Sequence, residues 1–322
     1  MTISTPFPWF GGKSRVAPQV WEAFGPVQNY VEPFFGSGAV MLGRPTPPRI
    51  ETINDLDGYV CNFWRALRAD PEGVAGWCDF PVSECELHAR HIWLVERKAG
   101  FTDRLMADPD FFDSRAAGYW VWGISAWIGS GWCSGSGAWV AENGLLVKAG
   151  SNGVNKQLPH LGNSGMGVHK KRPHLGDAGM GWFEQLADRL RRVRICCGDW
   201  SRVCGHSVTH KHGVTGVFLD PPYADTAGRD ADLYTEDSLS VAHDVREWAI
   251  ANGDHPKMRI ALCGYEGEHV MPESWRCVPW KAGPGYGSQS SQHDNPNAGL
   301  ERIWFSPHCL NGMGPLFAEG LI

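Results

Sequence analysis

The stretch Gly216-Val217-Phe218-Leu219-Asp220-Pro221-Pro222-Tyr223 constrains the fold of this chain more than any other. Val217, Phe218 and Leu219 form an apolar run of the kind that fills a strand buried on both faces of a parallel sheet. Two consecutive prolines then stop it, because each lacks an N–H and has a fixed φ. The strand therefore ends at Asp220, at the carboxyl edge where open α/β sheets bind ligands. Asp220 and the Pro221 carbonyl are two hydrogen-bond acceptors. Pro222 stiffens the turn, and Tyr223 offers an aromatic face. Together they suit a flat ring carrying an amino group. The same four residues are also compatible with a plain strand followed by a proline turn and a capping acid.

Composition narrows the class. The 322 residues suffice for one large or two ordinary domains, and the 43% hydrophobic content supplies a core. Met1 to Phe10 has neither a basic region nor an apolar stretch of signal type, so the ten cysteines are read as reduced thiols of a cytoplasmic protein. No segment approaches the roughly 18 apolar residues that a membrane span needs. The net charge of −6 speaks against binding nucleic acid through overall charge. Two local basic groups remain, His169 to His174 and Arg189 to Arg194, and local patches bind DNA on acidic proteins.

Several further stretches point to a ligand. Pro6 to Arg15 contains Trp9, the turn-forming pair Gly11-Gly12, and Lys13. These residues can meet a ligand or simply anchor the N-terminus. In Asn29 to Val40 a short strand ends near Glu32. Gly36 and Gly38 then open a helix near Ser37, whose N–H groups face the turn. The pattern is neither Gly-x-Gly-x-x-Gly nor a phosphate loop, which favours a cofactor other than a phosphate-led one. A second strand, Arg49 to Asn54, leads to Asp55, placed after the glycine turn at about the separation, roughly 20 residues, of a ribose-binding acid. Asp57 reads as the N-cap of a helix over Gly58 to Arg68.

From Pro71 to Gly181 the pattern changes. Helices are predicted near Ser83–Met106 and Phe111–Ile128, followed by a Gly-, Ser- and Asn-rich stretch. That stretch repeats Pro-His-Leu-Gly at Pro159 and Pro173, with Lys170, Lys171 and Arg172 between the copies. It reads either as paired glycine-rich loops presenting a basic knot or as a flexible surface insertion. Alternation then resumes: a helix over Trp182 to Arg192, strands at Val193–Cys197 and Met258–Cys263, a helix over Ser238–Asn252, and a closing strand pair at Trp275–Trp280 and Glu301–Phe305. Cys196, Cys197, Cys204, His206, His210 and His212 crowd one region without a C-x₂-C pair, so no metal is expected.

Taken in order, Trp9 to Lys13, Glu32 to Gly38, Asn54-Asp55 and Asp220 to Tyr223 resemble the Dam-type class of DNA N6-adenine methyltransferases. The resemblance covers most of the chain outside the insertion. It implies a Rossmann-like α/β fold with a seven-stranded mixed sheet, antiparallel near one edge. It divides the chain into a catalytic domain of 1–70 and 182–322 and an inserted target-recognition domain of 71–181. S-adenosylmethionine would lie over Glu32, Pro33, Phe34, Gly36 and Gly38. Gly11, Gly12 and Lys13 would hold its methionine end with Trp9 nearby, Asp55 its ribose and Asp199 its adenine. Asp220, Pro221, Pro222 and Tyr223 would grip an adenine flipped out of double-stranded DNA, and no metal would be needed. Lys170, Lys171 and Arg172 are the expected phosphate contacts. Gly129 to Gly135 departs from the family pattern, so target specificity does not carry over. Three other readings stay open: N4-cytosine methylation, methylation of RNA or protein, and a catalytically silent protein of the same fold. The oligomeric state is left open.

Overall fold

The computed structural model describes residues 4–9, 12–46, 49–127, 132–133, 139–142, 145–148, 181–222, 241–280 and 299–310, the hairpin at 139–148 by its backbone alone. Gly11, Tyr223, Lys170, Lys171, Arg172, most of the repeat and the helix-capping Ser238 and Ser240 lie outside the described residues.

A seven-stranded sheet carries the chain. Its strands are β1 (Asn29–Glu32), β2 (Ile50–Asp55), β5 (Val193–Cys197), β6 (Thr215–Leu219), β7 (Met258–Tyr265), β8 (Arg276–Pro279) and β9 (Glu301–Phe305). Across the sheet they run β5-β2-β1-β6-β7-β9-β8. The first five are parallel, and β9 is antiparallel to both β7 and β8. The expected mixed sheet with one antiparallel strand beside an edge is therefore present. The remaining two strands, β3 (Trp139–Glu142) and β4 (Leu145–Lys148), form a separate antiparallel hairpin.

Every residue of β1 and β6 is buried, as strands in the centre of a parallel sheet are. The chain winds outward from β1 in one direction and from β6 in the other. Their shared carboxyl edge is the switch point where such sheets leave a crevice.

The helices follow local signals, some of which the periodicity alone hides. They are α1 (Ala17–Phe24), α2 (Ala39–Leu42), α3 (Gly58–Ala69), α4 (Pro71–Cys78), α5 (Glu84–Arg97), α6 (Phe101–Ala107), α7 (Ser114–Ala126), α8 (Trp182–Leu190) and α9 (Val241–Gly253). Asp57 caps α3 as expected, accepting from the Tyr59 N–H at 2.7 Å. The single helix expected over Ser83–Met106 is instead two, α5 and α6. Gly100, at φ 73°, breaks it and enters α6 in the left-handed region. The expected Phe111 start gives way to Ser114, because the Asp113 carboxylate caps the Ala116 N–H at 2.8 Å. Sequence periodicity also missed α4, although Asp70 caps it and Pro71 occupies its first turn.

Helices α4 and α7, which fall in the expected insertion, pack on α3 and on each other, and α4 also packs on α8. The Trp120 ring of α7 lies 6.1 Å from that of Phe63 on α3, and Phe63 lies 6.2 Å from Phe183 on α8. One continuous core thus includes residues of α3, α4, α7 and α8.

Candidate active site

A cavity of about 230 Å³ opens at the carboxyl edge between β1 and β6. Three turns build it. The first follows β1, where Gly36 (φ 47°) and Gly38 (φ 71°) take left-handed conformations that lead into α2. A Cβ on Gly36 would lie 2.2 Å from the Trp9 indole, so the turn and the N-terminal segment can approach closely only with glycine there. Trp9, Gly12, Lys13, Glu32, Pro33, Phe34 and Gly36 all line the cavity. Gly38 does not, and acts through the course of the turn.

The second turn follows β2. The Asp55 carboxylate accepts from the Gly36 N–H at 2.9 Å through Oδ2 and from the Asp57 N–H at 3.1 Å through Oδ1, so it buttresses the glycine turn as well as lining the cavity. Burial pushes its pKa up to about 7, the Gly36 N–H opposes this, and the neighbouring Asp57 adds to it. Asn54 was not assigned a role from the sequence. It is buried, and its side-chain amide donates to Pro33 O at 3.1 Å and Gly198 O at 2.8 Å, tying all three turns together.

The third turn, Gly198-Asp199-Trp200, follows β5. Asp199 lines the cavity while its Oδ1 caps a 3₁₀ turn by accepting from the Ser201 N–H at 2.9 Å. Trp200 was missed. Its ring faces that of Phe34 in stacked orientation, 6.3 Å between centroids and 29° between planes, giving the cavity an aromatic wall. The signal was present as an aromatic residue directly after a strand-end acid, but the stack needs a partner, Phe34, from a distant part of the chain.

Asp220 stands at the end of β6, with Pro221 buried behind it and Pro222 lining the cavity. Its Oδ1 lies 2.9 Å from Lys13 Nζ, and both side chains are largely buried. Lys13 therefore meets the strand-end acid directly. Burial alone would pull the Lys13 pKa down, but Asp220 and then Glu301 outweigh it, and the ammonium stays charged. For Asp220 the directions conflict: burial lifts its pKa, and Lys13 draws it back. The 2.9 Å contact supports the ionised pair. Glu32 is also buried, its Oε2 accepting from Tyr30 Oη at 2.7 Å. Burial raises its pKa well above the usual range despite that bond.

Six acids, Glu32, Asp55, Asp57, Asp199, Asp220 and Asp244, line this cavity among the described residues, against the single base Lys13. Glu32, its pKa raised by burial, adds little charge, and Asp220 is paired with Lys13; the remaining acids favour a ligand with cationic groups over one led by phosphates. Among the described residues no group of three or more His, Cys, Asp or Glu is arranged to hold a metal ion.

One part of the chain is similar to a known family. Residues 9–97 match the family of D12 class N6 adenine-specific DNA methyltransferases. That family is one of enzymes. The match takes in the Trp9–Lys13, Glu32–Gly38 and Asn54-Asp55 segments from which the Dam-type resemblance was read, and it ends before Asp220. The sheet order and its one antiparallel inner strand accord with a Rossmann-like methyltransferase fold. None of the curated proteins matches the chain.

Proposed function

We propose that this chain transfers a methyl group from S-adenosylmethionine to the N6 amino group of adenine in double-stranded DNA. The observation that carries the reading is the Asp220 carboxylate, held by Lys13 at the edge of an acid-lined cavity at the sheet's switch point. The family match supports adenine methylation of DNA.

The cavity suits the proposed cofactor. S-adenosylmethionine supplies an activated methyl group on a sulfonium, and its sulfonium and ammonium complement the acidic lining. Asp55 would take the ribose hydroxyls, Phe34 and Trp200 the adenine, and Glu32 with the Trp9–Lys13 segment the methionine end. Gly36 leaves room for close approach.

The chain's own groups then act on the target base. The amino group of adenine donates one hydrogen bond to Asp220 and a second to the Pro221 carbonyl. These two acceptors draw the nitrogen toward tetrahedral geometry and localise its lone pair. Lys13 occupies Oδ1 of Asp220, which leaves Oδ2 to accept from the amino group. Asp220 is also the base beside the proton that N6 must lose once methylated. Tyr223 would stack on the base. Alignment of this sort contributes roughly 7–11 kcal/mol toward lowering a barrier. The base must leave the duplex to reach the site, and the segment 71–181 would select and hold the DNA, with Lys170, Lys171 and Arg172 on its phosphates.

Nucleoside mass spectrometry tests the reading. Unmethylated DNA incubated with the protein and S-adenosylmethionine should gain N6-methyladenine. A gain of N4-methylcytosine instead would change the base assigned, and the absence of any methylated nucleoside would overturn the reading.

A further inference from the structure

A second buried acid lies at the strand edge that holds the Lys13–Asp220 pair. Glu301 opens β9, and because β9 runs against its neighbours, this first residue lies at the same carboxyl edge as Asp220. It pairs in register with Tyr265 at the end of β7. Only 4% of Glu301 is exposed, although it is an acid at a strand end. Its carbonyl accepts from the Trp280 N–H at 3.2 Å, and the Trp280 ring lies 5.4 Å from the Lys13 ammonium. Lys13 thus sits in a nook made by the ends of β6, β7, β8 and β9. After Asp220, Glu301 is the largest charge stabilising its ammonium. The neighbouring Arg302 turns away, binding Glu266 at 2.7 Å. Nothing in the proposed chemistry of the adenine site uses Glu301.

We propose that Glu301 is a positioning residue that shares Lys13 with Asp220 and so keeps Asp220 a strong acceptor for the amino group of the target base. The inference rests on the methyltransferase reading of the site. A cation held by one carboxylate alone draws down that carboxylate's basicity. A cation shared between two leaves each with more. With Glu301 neutral, Lys13 settles wholly on Asp220, and the hydrogen bond to N6 weakens. Without Lys13, two buried acids at one sheet edge lose their shared cation, a costly arrangement.

A double-mutant cycle tests this on the full chain. Glu301→Gln is expected to lower kcat for DNA methylation by about tenfold, a coupling of ordinary size for neighbouring groups. KM for S-adenosylmethionine should stay within about twofold on the same scale. Glu301→Asp, which keeps the charge, should recover most of kcat. In a Lys13→Gln background, Glu301→Gln should lower the single-turnover rate no further. Equal losses in both backgrounds, or a rise in KM with kcat unchanged, would overturn the proposal. Thermal midpoints give a second cycle that needs no activity. Glu301→Gln should lower the midpoint of the parent chain and raise that of Lys13→Gln, since it removes one of two like charges. A fall in both backgrounds would equally overturn it. A parent chain that transfers no methyl group would instead count against the methyltransferase reading, leaving the thermal cycle to decide for Glu301.

Discussion

Asp55 serves two bonding patterns with one carboxylate. Its oxygens accept from the N–H groups of Gly36 and Asp57, which favours the ionised form, yet burial pushes its pKa up to about 7. Because the folded-state value lies above that of an unfolded carboxylate, the folded chain binds more protons between the two. This group's contribution to stability is present at low pH and lost as pH rises through about 7. Cofactor binding should respond in the opposite direction, because only the carboxylate form accepts from both ribose hydroxyls. Calorimetry from pH 5.5 to about 8.5 should show S-adenosylmethionine binding tighten as pH rises through about 7 and release a proton on the acid side. Asp55→Asn should flatten that dependence; an unchanged slope would assign the titration to another group. Asp220 could be singled out in the sequence because it ends an apolar run, and Asp55 because of its distance from the glycine turn. The Lys13–Asp220 pair could not, since the two are brought together only by the β1–β6 junction. Trp200 and Asn54 were hidden for the same reason: their partners come from other strand ends.

At the scale of elements, the glycine turn after β1 is the most exacting piece of backbone. Gly36→Ala would place a methyl group 2.2 Å from the Trp9 indole and strain a left-handed φ of 47°. The backbone term alone amounts to about 1–2 kcal/mol. The variant should therefore bind S-adenosylmethionine at least about tenfold more weakly, as read by calorimetry, while keeping the far-ultraviolet circular dichroism of the parent. Unaltered affinity would mean that the close approach of Trp9 to the turn is unimportant for the cofactor. Strands were the most legible elements, because short stretches with apolar residues lead up to Asp55, Asp199 and Asp220 at or just past strand ends. Helix boundaries were less so. A period of 3.6 runs straight through Gly100, and only its left-handed φ reveals the break. Likewise α4 is short, and its Asp70-Pro71 start is a local cap signal that periodicity does not register.

At the scale of the whole molecule, helices α4 and α7 belong to the core that supports the turns lining the cavity. Trp64 on α3 donates to Gly36 O at 3.0 Å, and the Trp120 ring of α7 packs against both Phe63 and Trp9. Trp120→Ala should cost about 3–5 kcal/mol and lower the midpoint of a single unfolding transition. Loss of only a minor transition, with the main one unmoved, would place α7 in a separately folding unit. The recognition role proposed for the remainder of the insertion predicts a different signature. Neutralising Lys170, Lys171 and Arg172 together should weaken DNA binding and reduce its salt slope by about 0.9 for each phosphate that the protein no longer neutralises. No helix among the described residues is long and apolar enough to cross a membrane. The central claim, that Asp220 activates the amino group of a base beside a bound methyl donor, is tested most directly by Asp220→Ala. Methyl transfer to DNA under single-turnover conditions would be measured alongside S-adenosylmethionine binding by calorimetry. The account predicts that transfer falls by at least about a thousandfold while cofactor affinity changes by less than about threefold. Parallel loss of both would contradict it.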